Sequence, residues 1–103
     1  MKLVEQYLWF QEEKATIHEI ACQSGLIVGF TERSSVGKSV NEDAVGVFVF
    51  DEQTIVLAVA DGMGGANSGD RAAQTVIQSI AQQVQLAVVR ESLRTNILDA
   101  IES

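Results

Sequence analysis

The stretch Thr54–Gly69, TIVLAVADGMGGANSG, limits what this chain can fold into more than any other segment. An apolar, β-branched run ends in one aspartate, Asp61, and then passes through a glycine-rich turn toward a helix. Branched side chains pack well on a pleated surface, so Thr54–Ala60 reads as a strand. TIVLAVA is apolar almost throughout, and such a strand needs cover on both faces. A second acidic spot, Asn41-Glu42-Asp43, lies one strand upstream. Carboxylates at the ends of adjacent strands suit hard, oxygen-loving cations such as Mg²⁺ or Mn²⁺. The glycines let the backbone approach such an ion closely, so a peptide carbonyl can join the ligands.

The remaining segments fall into place around this one. Ala44–Phe50 (AVGVFVF) is again rich in β-branched and aromatic residues, and Asp51-Glu52-Gln53 reads as the hairpin turn into the next strand. Leu26–Thr31 is β-like and runs into a polar loop, Glu32–Val40, while Thr16–Cys22 alternates loosely as a strand does. Leu3–Phe10 is mainly apolar without a clear period, and reads equally as strand or helix. Beyond Gly69 the spacing turns helical. Ala72, Ala73, Val76, Ile77, Ile80, Ala81 and Val84 form one apolar stripe. Asn67 or Ser68 suits its cap, and Asp70 suits the positive end of its dipole. A second amphipathic segment places Leu93, Ile97, Leu98 and Ile101 on one face, with neither glycine nor proline after it.

Strands first and helices after make an α+β layout, with the helices laid on one sheet face. Nothing left in the sequence obviously covers the other face. The unstopped second helix and the missing layer both read as the N-terminal piece of a larger domain. Exposed strand edges and an uncovered apolar face then favour self-association.

Composition excludes several classes of partner. A chain of 103 residues with 47% hydrophobic content makes one domain at most. No run approaches the roughly 18 apolar residues that span a bilayer. The opening MKLVEQYLWFQEE carries Glu5 within its apolar part and lacks a small-residue cleavage pattern, so it is a poor signal peptide. A single cysteine, Cys22, permits no internal disulfide and fits a cytoplasmic protein. The formal net charge is −7, with Lys and Arg scattered, which argues against nucleic acid or an anionic membrane as partner.

Phosphate-monoester hydrolysis is among the slowest uncatalysed reactions. Two adjacent cations lower its barrier by presenting a hydroxide in line with phosphorus and neutralising the phosphate oxygens. Asp61, at the end of a rigid strand, is placed to bridge two ions; the Gly62 carbonyl is a neighbouring donor, and Glu42 and Asp43 can bind directly or through water. VNEDAVGVF followed by LAVADGMGGANSGDRAA resembles the PPM family of metal-dependent serine/threonine protein phosphatases, the phosphatase-2C type. The resemblance runs from about Leu26 to the end; residues 1–24 lie outside it as an N-terminal extension or extra strands, and residues 25–103 correspond to the N-terminal portion of the catalytic domain. It implies two Mg²⁺ or Mn²⁺ ions in the complete domain, a phosphoprotein substrate, and a β-sandwich flanked by helices (αββα). Asp61 would bridge the ions, Gly62 would give its carbonyl, and Glu42 and Asp43 would stand beside the second ion.

Three departures bear on activity. The family's phosphate-gripping arginine is replaced by Lys38, a point charge that steers phosphate without a bidentate fork. Met63 stands where some members carry a general-acid histidine, as in bacterial members, leaving water to protonate the leaving group. The family's later metal aspartates have no counterpart in Glu91, Asp99 or Glu102. The chain therefore reads as an incomplete, poorly active phosphatase fragment, the alternative being a phosphatase-derived binding or regulatory module without catalysis. Gly37-Lys38-Ser39 is no P-loop, because the glycine required five residues earlier is Glu32. His18 lacks partners at ligand spacing, Cys22 reads as a small core residue, and Trp9 and Phe10 read as packing residues. Ser34, Ser35 and Ser39 lack the strand-to-helix elbow of a serine nucleophile.

Overall fold

A computed structural model describes residues 1–10, 16–23, 25–31, 42–51, 53–62, 69–87 and 90–102. Among them are five strands, β1 (Leu3–Phe10), β2 (His18–Cys22), β3 (Gly25–Gly29), β4 (Asp43–Phe50) and β5 (Ile55–Asp61), followed by the helices α1 (Gly69–Leu86) and α2 (Arg90–Glu102). The order is α+β, with all strand pairs antiparallel.

β1, β4 and β5 form one sheet in that order, with β4 in the middle. Leu3–Phe10 is thus a strand. Its pattern alone did not decide this; pairing with β4 does, from Phe10 opposite Ala44 to Leu3 opposite Phe50. The far end is tied by a reciprocal pair: the Lys2 N–H donates to Asp51 Oδ1 at 2.8 Å, and the Asp51 N–H to the Lys2 carbonyl at 3.0 Å. The β4–β5 turn closes with the Phe50 N–H on the Thr54 carbonyl at 2.8 Å, and Gln53 takes a positive φ of 58° there.

Side chains alternate across these strands, and the two faces meet different partners. One face carries Ala44, Phe48, Phe50, Val56, Ala58 and Ala60 beneath the helices, where Ala73, Ile77, Ile80, Ala81 and Val84 of α1 are buried. Gly46 lies buried on that face beneath Ile77 of α1. A Cβ there would come within 2.9 Å of the Phe48 ring and 3.1 Å of Ile77 Cγ2. The stripe on α1 is narrower than the sequence suggests, because Ala72 and Val76 face solvent. On α2, Leu93 and Ala100 are buried and Ile97 half-buried, whereas Leu98 and Ile101 are exposed. α2 leans on α1, helped by the Asn96 side-chain amide donating to the Gln83 carbonyl at 3.1 Å.

The opposite face is not left bare, contrary to the sequence reading. The β2–β3 hairpin lies over it, and Trp9, Ile20 and Val47 form a buried cluster with Tyr7, Ile27, Val45 and Val49. Trp9 stacks on His18, ring centroids 4.2 Å apart and 13° from parallel, and a Cβ on Gly29 would come within 3.1 Å of its indole. Among the described residues, two sheets lie face to face with the helices on one outer side. Cover stops short of β5, where Leu57 and Val59 remain 62% and 76% exposed. Cys22 sits at the hairpin end, half-buried, its thiol donating to the Gly25 carbonyl at 3.4 Å.

Candidate metal centre

The acidic residues of the two motifs meet where β4 begins and β5 ends. Antiparallel pairing sets Asp43 directly opposite Asp61, two residues beyond the Val45–Val59 pair. Residues opposite each other in such a ladder project to the same face, so both carboxyl groups emerge on the hairpin side of the sheet. Their side chains are hydrogen-bonded to each other. A one-residue slip of β5 against β4 would send Asp61 to the helix face and part it from Asp43, so the apolar pattern of VGVFVF and IVLAVA fixes the acids as well as the core.

The backbone locks this end. The Gly62 N–H donates to the Glu42 carbonyl at 3.1 Å, extending the ladder one step past the acid pair and burying Gly62. Glu42 is half-buried, and its charge is felt at Asp43. Asp61 is the exposed member of the pair.

Burial is the main cause that raises the Asp43 carboxyl above its ordinary value of 3.8. The Asp61 charge and hydrogen bond add to this, as does the Glu42 charge, while a hydrogen bond from Thr31 acts the other way. Two carboxylates so close repel when both are ionised. A proton shared between them relieves that repulsion, and so does a cation.

Asp43 and Asp61 come together, Gly62 stands beside them, and Glu42 is near enough to act through its charge. Among the described residues no group of three or more His, Cys, Asp or Glu side chains is arranged to hold a metal ion. Lys38, Asn41 and Met63 lie outside the described residues, as do the candidate caps Asn67 and Ser68 and the serines of the 32–40 segment. Thr31 was not among the sequence candidates, yet it is buried just beyond β3 and bonds to Asp43. Only a fold that brings the end of β3 to the start of β4 reveals it.

The donor set fits a hard divalent ion: carboxylate oxygens on rigid strand ends, with a glycine backbone alongside. Among the described residues no helix is long and apolar enough to cross a membrane. Residues 32–103 match the family model for protein phosphatase 2C. No curated protein and no solved structure matches the chain.

Proposed function

The chain belongs to the protein phosphatase 2C family, and from that premise we propose that Asp43 and Asp61 belong to the metal centre of a protein serine/threonine phosphatase. The observation that carries this reading is the cross-strand Asp43–Asp61 pair, hydrogen-bonded and facing the same side.

When bound, a pair of Mg²⁺ or Mn²⁺ ions supplies an activated water and neutralises the oxygens of a phosphoserine or phosphothreonine. The residues do the holding. Asp61, exposed at the strand end, would hold the ions, and the Gly62 carbonyl, next in the chain, would be a further donor. Asp43 is partly desolvated, faces the Asp61 charge and accepts the Thr31 hydrogen bond, so a cation beside it would favour its ionised form. Glu42 adds negative charge at the rim, and Lys38 steers the phosphate. A phosphoprotein is the substrate. Water, which Mg²⁺ keeps readily in its oxygen shell, would fill ligand positions these residues leave open.

Calorimetric titration with Mn²⁺, run beside phosphate release from a phosphoserine peptide, tests the reading. It predicts Mn²⁺ binding that weakens at least tenfold in Asp61→Asn, and slow release that requires the ion. Binding without release supports the non-catalytic binding module instead. Binding indifferent to Asp61→Asn removes Asp61 from the centre.

A further inference from the structure

Thr31 is the one buried polar side chain among the described residues, 6% exposed and two residues past the end of β3. A hydroxyl taken out of water is costly unless a partner replaces the lost hydration. Among the described residues no buried side-chain oxygen or nitrogen lacks a hydrogen-bond partner, and Thr31 is bonded to the Asp43 carboxyl group. An ionised carboxylate only accepts, so against it the hydroxyl is the donor.

This contact crosses from one sheet to the other. Thr31 follows the β2–β3 hairpin, whereas Asp43 opens β4 in the three-stranded sheet. The Trp9–His18 stack and the close fit of Gly29 to the Trp9 indole hold the hairpin in place. Two residues beyond Gly29, the chain delivers the hydroxyl to the acid pair. Asp43 is thereby gripped twice, by Thr31 from one sheet and by Asp61 from the other.

Given the metal centre read for Asp43 and Asp61, on which this role rests, we propose that Thr31 is its positioning residue. The hydroxyl holds the Asp43 carboxylate in the orientation that receives a divalent ion. A free carboxylate rotates about two bonds, and an ion must stop that rotation as it binds. The Thr31 bond stops it beforehand, so less freedom is lost on binding. A hydroxyl does this without a positive charge that would compete with the ion. Hydrogen-bond partners of ligating carboxylates typically govern about 10–100-fold in metal affinity.

The test is calorimetric titration of the full chain with Mn²⁺, comparing Thr31→Val, Thr31→Ser and Asp61→Asn. Valine keeps the volume and loses the donor, whereas serine keeps the donor. Thr31→Val should weaken Mn²⁺ binding by about 10–100-fold, and Thr31→Ser should bind close to wild type. Circular dichroism without metal checks folding, and Thr31→Ala stands in should the valine variant not fold. Equal weakening in the valine and serine variants assigns the effect to packing and overturns the proposal. So does undiminished binding in Thr31→Val while Asp61→Asn loses it, a result that leaves the metal centre standing. Binding indifferent to all three substitutions, or absent from the wild type, removes the metal centre itself and this role with it.

Discussion

The two faces of the central sheet share three strands, yet one is sealed and the other half-sealed. Under α1, the apolar side chains of β4 and β5 meet an 18-residue helix with a continuous stripe, and Phe48, Ile77 and Val84 lose almost all contact with water. Under the β2–β3 hairpin, cover comes from two five-residue strands that contribute one buried side chain, Ile20, and lean on Trp9. A helix brings a new side chain to the same face every third or fourth residue, over a length its own hydrogen bonds sustain. A short hairpin brings two or three in all, so its hold depends on one large ring. The difference teaches that the two faces do different work: the sealed face fixes the register, and the half-sealed face presents the Asp43–Asp61 pair.

The largest expected effect lies on the sealed face. Phe48→Ala empties a site with no exposure and should cost about 3–5 kcal/mol, read as a shift of the denaturant midpoint. Trp9→Ala should cost about 2–3 kcal/mol, since its surroundings are partly open. It should also speed amide exchange in β2–β3 well before β4. Equal loosening of both regions would break the distinction. Next comes Gly46→Ala, which sets a methyl against Phe48 and Ile77 and should cost about 1–3 kcal/mol.

The smallest effect concerns the acid pair. Asp43 has a raised native pKa, so the native state keeps its proton where the unfolded chain has lost it. Stability therefore falls as pH rises from about 3.8 through the raised value, and the penalty persists above it. Asp43→Asn removes that penalty. Without added metal it should stabilise the neutral-pH protein by about 0.5 kcal/mol, a small figure because solvent screens the pair, and flatten the acid-side dependence. Denaturation midpoints between pH 4 and 7 check both.

Much of this was legible in the sequence because the informative signals were local. AVGVFVF, TIVLAVA and the stripe beyond Gly69 each declare their element within a dozen residues. The Asp43–Asp61 pairing follows once those two strands share a register. Non-local features stayed hidden. Leu3–Phe10 becomes a strand through its pairing with β4, which its own pattern does not specify. Cover for the second face depends on Trp9 meeting His18 and Ile20, and Thr31 reaches Asp43 only through the fold. On α2, the inward line is Leu93, Ala100 and the half-buried Ile97, with Leu98 and Ile101 outside, because the packing against α1 rather than side-chain size decides which residues turn in.

The central claim is that Asp43 and Asp61 form one cation site at the paired ends of β4 and β5. Paramagnetic broadening by trace Mn²⁺, followed residue by residue in the amide spectrum, tests it most directly. The signals of Glu42, Asp43, Asp61 and Gly62 should vanish first, and Asp61→Asn should protect all four. Broadening that begins instead at Glu91, Asp99 and Glu102, or that spreads evenly over the acidic surface, would contradict it.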